Sequence, residues 1–451
     1  MVWEHDSAQR KGLVVFMDLQ GKKILFLGGA FQHCKAVETA KQMGLTVYVT
    51  DYLNIEDAPA KQMADHWWMH NIYDIDDIVE ACKREQIDGV LQICLDPCQK
   101  PYQQVCQRLG KPCYGTEEQF RILTDKTAFK RFCMEHNVDV IPEYTEEEFR
   151  CDGADGSVAY PVLVKPSDSR SSLGQSVCHT RQEVLKAIEV AKAESGTGRI
   201  LIEKYMGGHD DFTMAYFVVN GVPYMFRMTD RMLGSAETGM DRVAVASIGP
   251  SKHTQMYMNN VHGRVVEMIR ALGIQNGPMF LQGFVDGDTV RFYDPGFRFP
   301  GAEFERAYAA VHNLNLIEPL IEYAVTGTIS SRYLEAEYPH DLAGKHLLIM
   351  LPPLRPGKIH KILGVQEMRE HPNVLSAFLN HKEGDVILPT QSIKQLAAEI
   401  DIVCDDVSAL KQTAQWIYQV FRVEDEHGEN MLSCPEEELM DWIDSMLGDD
   451  R

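Results

Sequence analysis

Gln282, Asp294 and Arg298 fall within one short stretch, MFLQGFVDGDTVRFYDPGFRFPG. An acidic turn separates the first two, so the stretch reads as a β-hairpin with an oxygen-bearing side chain on each strand. Such ligands suit a hard cation such as magnesium. An arginine four residues past Asp294 can hold a phosphate or a carboxylate through its planar fork. The geometry depends on the turn. With a three-residue loop, Asp286-Gly287-Asp288, Gln282 faces Phe292, and Asp294 is its diagonal neighbour on the same face, about 7–8 Å away. A two-residue loop breaks that parity. The plainer alternative is that Asp294 caps a turn before Pro295 and Gln282 is an ordinary polar residue.

Other residues upstream have matching chemistry. Lys165 ends the apolar run VLVK and precedes Pro166 and a Ser/Gly-rich loop. Loop amides and hydroxyls can wrap a polyphosphate while lysine supplies a point charge. Lys126 opens a helix and can meet a phosphate. EKYM supplies a carboxylate, Glu203, and then an extended backbone at Tyr205 and Met206 able to pair with an adenine edge. Asp210 and Asp211 can accept hydrogen bonds from ribose hydroxyls. Taken alone, each of these residues also reads as an ordinary surface group.

The elements that must position these residues divide into regions. The chain has 451 residues, too many for one compact core, and a formal charge of −22. That charge argues against non-specific nucleic-acid binding, and no apolar run is long enough to span a bilayer. The opening MVWEHDSAQRKG does not read as a signal peptide. Eleven scattered cysteines suit a reducing, cytoplasmic setting rather than a disulfide framework. Residues 1–20 form an extension. Residues 21–115 alternate strand and helix, which implies a parallel sheet. KPCYG reads as its last short strand. Gly28, Gly29 and Asp51 give an incomplete dinucleotide fingerprint. Residues 116–335 hold hairpins and separate helices, an antiparallel α+β pattern. Asn220-Gly221 is the preferred two-residue turn between two of those strands. Residues 336–451 begin with strands and contain an amphipathic helix through Val407, Leu410, Ala414, Ile417 and Phe421. The acidic tail CPEEELMDWIDSMLGDDR reads as a solvated helix end.

The order of these signals resembles the ATP-grasp superfamily, of the carboxylate–amine ligase type. Asp125-Lys126 comes first, then VLVKP with its Ser/Gly loop, then EKYM and DDFT, then Gln282, Asp294 and Arg298. The resemblance covers roughly residues 22–335 and is looser beyond. It implies an ATP-grasp fold of the α/β plus α+β class: an open parallel-sheet domain, a two-part antiparallel domain that clamps ATP, and a C-terminal α+β domain acting as a lid. It further implies that Lys126 and Lys165 contact the ATP phosphates, with Ser169, Ser171, Ser172 and Gly174 in a mobile cover. Glu203, Tyr205 and Met206 would face adenine, and Asp211 the ribose, with Asp210 as its rival. Gln282 and Asp294 would hold Mg2+, and Arg298 would steady an acyl phosphate.

The sequence departs from the family's E-x-N-x-R, which appears here as Asp294-Pro295-Gly296-Phe297-Arg298. The asparagine is lost to Gly296, so an asparagine restored there would strengthen metal binding. The expected reaction joins a small carboxylate, an amino acid or similar acid, to an amine. Arg231, Arg242 and Lys252 are candidates for substrate carboxylates. Two alternatives stay open: a bicarbonate-using carboxylase or carbamoyl-phosphate-synthetase-like enzyme, suggested by Gln282, and a nucleotide-binding regulatory protein with weakened catalysis. The expected partners are small molecules, with neither nucleic acid nor membrane, and a homodimer is allowed.

Overall fold

Four parallel strands open the chain: β1 (Lys23–Leu27), β2 (Thr46–Thr50), β3 (His66–Trp68) and β4 (Gly89–Leu91), in the order β3-β2-β1-β4. The structure, a computed structural model, describes residues 19–150, 158–166, 175–235, 240, 243–301 and 304–448. β1 is an almost wholly buried apolar run, as a strand covered on both faces by helices must be. The expected strand at KPCYG does not form. Tyr114 instead packs into an aromatic cluster with Tyr102, Phe120 and Phe297. The incomplete fingerprint has a structural use. Asp51 accepts from the Gly29 N–H at 2.5 Å and pairs with the buried Lys61 at 2.9 Å, which locks the β1 loop.

A small antiparallel sheet follows, with β5 (Glu143–Tyr144), β6 (Val162–Pro166), β7 (Ser176–Cys178) and β8 (Ile200–Lys204) in the order β5-β8-β6-β7. The large sheet begins with β9 (Asp211–Val219), β10 (Val222–Leu233), β11 (Ala244–Gly249), β12 (Gly277–Asp286) and β13 (Thr289–Gly296). Asn220 and Gly221 both take positive φ in the turn between β9 and β10, as their sequence dictates. The C-terminal region adds β14 (His346–Met350), the short strands β15 (Gly357–Lys358) and β16 (Lys361–Leu363), β17 (Val374–Leu379), β18 (Val386–Ile387), β19 (Ala398–Cys404) and β20 (Arg422–Glu424).

β14 pairs with β11, so the large sheet runs without a break as β13-β12-β9-β10-β11-β14-β19-β17. The sequence suggests a region boundary near 336, but backbone pairing crosses it. The helix Ile317–Thr326 likewise packs back on the first sheet, where a Cβ on Gly89 would lie 2.5 Å from the Ala324 carbonyl oxygen.

The acidic tail is not a solvated helix end. Glu436–Leu447 is a helix whose Leu439, Met440, Ile443 and Met446 recur at three- and four-residue steps and are buried. They join the core formed by Leu410, Ala414 and Ile417 of the helix Val407–Val420. Ile443 is fully buried. Ile443→Ala is expected to cost about 2–5 kcal/mol by emptying that space. Urea unfolding checks this, and an unchanged midpoint would mean that the helix contributes little to the core.

Candidate active site

The hairpin of β12 and β13 turns on two residues, Gly287-Asp288, because Asp286 pairs with Thr289. That would put Gln282 and Asp294 out of phase, but a bulge corrects it. Gly283 pairs with Phe292 and Gln282 with Asp294, so Tyr293 is the extra residue. Gln282 and Asp294 are therefore directly opposite each other rather than diagonal, and closer than the three-residue loop implies. The register continues across the sheet through Thr213 on β9 to Thr229 on β10. Gln282 donates to Thr213 Oγ1 at 3.3 Å through its amide nitrogen, so a cation would be met by its carbonyl oxygen. Asp294 Oδ1 is 2.9 Å from the ammonium of Lys126.

Lys126 reaches Asp294 because it begins the helix Lys126–Glu135, whose N-cap Asp125 accepts from the Ala128 N–H at 2.9 Å. One turn on, Lys130 is almost buried, contacts Glu143, and lies 3.5 Å from Glu203. Sequence reasoning missed Lys130, although its i, i+4 spacing from Lys126 was a usable signal. On the small sheet, Leu163 pairs with Glu203 and Lys165 with Leu201. Lys165 and Glu203 are thus same-face diagonal neighbours and form an ion pair. The Tyr205 N–H is given to the Pro161 carbonyl at 2.9 Å. Among the described residues, no hydrogen bond occupies the Tyr205 carbonyl or the Met206 N–H. Those two groups, and not the Tyr205 N–H, are open to a ligand edge.

Asp211 is placed differently from its expected ribose-facing role. It is buried opposite Arg231 in the β9–β10 register, 3.2 Å from the Arg231 guanidinium, and it accepts from Tyr293 Oη at 3.0 Å. Burial pushes its carboxyl up to about 6, against the pull of Arg231 and Tyr293. Asp211 therefore braces Arg231 and the bulge rather than meeting solvent. Arg231 also donates to Tyr293 Oη at 3.2 Å. Asp210 is bound by His253 at 2.8 Å and Lys252 at 3.0 Å. Burial raises its pKa, but those two hydrogen bonds outweigh it and hold the carboxyl below its ordinary value. Lys252 also donates to the Ser445 carbonyl at 3.2 Å, so it ties the large sheet to the C-terminal helix. Ser169, Ser171, Ser172, Gly174 and Arg242 lie outside the described residues.

Arg298 is held on three sides. It makes a two-pronged pair with Asp96, Nε to Oδ1 at 2.5 Å and Nη2 to Oδ2 at 2.7 Å. Its Nη1 donates to the Phe299 carbonyl at 2.8 Å, and its guanidinium carbon lies 4.7 Å from the centre of the Phe280 ring. The same ring accounts for Gly296. A Cβ there would lie 2.0 Å from a Phe280 ring carbon. Phe280 thus fills the space that an asparagine side chain needs, and the expectation that one could be restored is corrected. Asp294 and Gln282 are hard oxygen donors that would fit one magnesium ion, a cation that often takes only one or two carboxylates from the protein.

With this geometry in view, the similarities to known proteins are informative. Residues 140–229 match the family model described as D-ala D-ala ligase C-terminus. The formate-dependent phosphoribosylglycinamide formyltransferase of Haloquadratum walsbyi is 26% identical over 201 residues, 42% of this chain and 48% of that protein. The Proteus mirabilis enzyme of the same name is 22% identical over 286 residues, 61% of this chain and 69% of that protein. The chain spans about half the length of most curated relatives it matches. Among solved structures, phosphoribosylglycinamide synthetase from Anaerococcus prevotii has a TM-score of 0.74 at 15% identity, covering 90% of this chain and 100% of that one. L-amino acid ligase from Bacillus licheniformis has a TM-score of 0.72 at 15% identity, covering 90% and 99%. The fold is the ATP-grasp fold, with the parallel sheet, the large antiparallel sheet and the mixed α/β content that the sequence implied. No helix among the described residues is long and apolar enough to cross a membrane.

Gly296→Asn is expected to destabilise the protein by about 1–3 kcal/mol through overpacking against Phe280 and to leave magnesium affinity no tighter. Chemical denaturation and metal titration in the presence of ADP check both parts. Tighter metal binding with unchanged stability would contradict this packing.

Proposed function

We propose that this ATP-grasp protein is an ATP-dependent carboxylate–amine ligase. It phosphorylates a small carboxylate, most simply an amino acid, and an amine then displaces the phosphate from the acyl carbon. The observation that supports this reading is the Lys126–Asp294 ion pair beside the Gln282–Asp294 rung, with Lys165 paired to Glu203 on the small sheet and Arg298 fixed four residues past Asp294. The relatives named for formate-dependent formyl transfer and for L-amino acid ligation support a small carboxylic acid as one substrate.

In this reading ATP phosphates take over the lysines' present partners. Lys126 exchanges Asp294, and Lys165 exchanges Glu203, for phosphate oxygens. Both lysines then neutralise charge on the transferring group. Asp294, released from Lys126, and Gln282 hold magnesium, which supplies further neutralisation of the phosphates. The Tyr205 carbonyl and Met206 N–H pair with the base edge. Arg298, already fixed against Phe280, stabilises the charge that builds up as the acyl phosphate forms.

A second reading, with bicarbonate as the acid, is favoured by the amide at Gln282 and by neighbours whose titles name biotin carboxylase bound to bicarbonate. It predicts bicarbonate-stimulated ATP hydrolysis without an added amine.

Screening acids and amines in pairs for ADP release tests the ligase reading. A pair that stimulates release and yields the coupled product is expected. Release with bicarbonate alone would favour the second reading, and no release with any pair would count against both. Arg298→Ala should lower turnover by roughly a hundred- to a thousandfold, the equivalent of about 3–4 kcal/mol of barrier, with ATP affinity nearly unchanged. Wild-type turnover in that variant would reject the catalytic role.

A further inference from the structure

Residues 297–299 are gripped one after another by the segment that leaves β4. Gln92 bonds the Tyr114 hydroxyl, which donates to the Phe297 carbonyl at 3.1 Å. The Ile93 carbonyl accepts from the Phe299 N–H at 2.8 Å. Between them, Asp96 takes the side chain of Arg298. The first domain therefore sets both the backbone and the side chain of the arginine that the ligase reading makes catalytic.

Asp96 is itself well fixed. It opens the helix Asp96–Leu109, where a carboxylate is favoured by the helix dipole, and Oδ1 also accepts from Gln99 Nε2 at 2.8 Å. Its contact with Arg298 is specific about edges. A guanidinium has five N–H groups in a rigid fork. Asp96 uses one on Nε and one on Nη2, and the Phe299 carbonyl uses one on Nη1. Among the described residues, one N–H on Nη1 and one on Nη2 remain, a pair suited to two oxygens of one anion. The Phe280 ring below fixes the plane of the fork. The Arg298 side chain is only 12% exposed while Asp96 is 60% exposed, so the carboxylate grips the arginine from the open side.

We propose that Asp96 is a positioning residue, which orients Arg298 so that its two spare N–H groups receive a tetrahedral phosphoryl group. The proposal rests on the ligase reading for the identity of that group. It adds a residue on the first domain to a site otherwise built from the clamp. Asp96 touches no reacting atom and acts through Arg298. An asparagine in its place keeps one acceptor but sets an NH2 group against the other guanidinium nitrogen, so the fork must turn.

The test uses the full chain saturated with Mg·ADP and inorganic phosphate as the probe, followed by calorimetry. Asp96→Asn, Arg298→Ala and the double variant are compared with the wild type. Asp96→Asn is expected to weaken phosphate about tenfold, as misdirected charge-assisted hydrogen bonds would. Its Mg·ADP affinity should stay within about twofold, and the double variant should bind phosphate no more weakly than Arg298→Ala, because the two residues act as one unit. Unchanged phosphate affinity in Asp96→Asn overturns the proposal, as do losses that multiply in the double variant or wild-type phosphate binding that ignores Arg298→Ala. Asp96→Ser, which removes the carboxylate without adding a donor of that shape, gives a second reading if Asp96→Asn lowers the unfolding midpoint. The phosphate measurement needs no turnover, so an acid–amine screen without ADP release would count against the ligase reading alone.

Discussion

One extra residue in one strand sets the candidate site. Tyr293 is unpaired in the β12–β13 ladder, and that bulge brings Asp294 back into phase with Gln282 after a two-residue turn. Without it, Asp294 would sit on the opposite face of the sheet from Gln282, away from Lys126. The bulge is held from below. The Tyr293 hydroxyl joins the buried Asp211 and the mostly buried Arg231, opposite each other on β9 and β10. A buried ion pair favours one arrangement, because any slip leaves a charge unpaired. The same rung pattern carries Asp294, Gln282, Thr213 and Thr229 across four strands on one face.

The two lysines of the proposed phosphate site are both paired in the structure. Each sits against a carboxylate, Lys126 against Asp294 and Lys165 against Glu203. Lys126 is two-thirds exposed, so its pair with Asp294 is weakly held. Glu203 is buried between Lys165 and Lys130, so it has a second lysine partner besides Lys165. At the far end, Asp286 binds Lys204 at 2.9 Å and Arg291 at 2.5 Å. Their hydrogen bonds hold its carboxyl at about 2. The Asp286–Lys204 pair ties the small sheet to the hairpin of the large one.

Much of this was legible from residue types in order. Alternating strand and helix indicated the parallel sheet, Asn220-Gly221 the β9–β10 hairpin of the antiparallel sheet, and Lys126 a helix start, which Asp125 caps. What escaped depends on pairing between distant segments. No local pattern reports that Tyr293 bulges, that β14 joins β11, or that Phe280 fills the space beside Gly296. The partners of Asp211 and Asp210 escaped for a related reason. A carboxylate next to an apolar strand looks available until its cross-sheet partners, Arg231 in one case and His253 with Lys252 in the other, are in place. The tail helix was misjudged because its acidic residues mask the apolar stripe of Leu439, Ile443 and Met446.

The central claim is that a carboxylate attacks the terminal phosphate of ATP before any amine reacts. Isotope transfer tests it directly. With a substrate acid labelled by heavy oxygen in its carboxyl group, one labelled oxygen should appear in the released phosphate when acid, amine, ATP and magnesium are all present. Phosphate free of label, in a mixture that nevertheless forms the coupled product, would contradict the account.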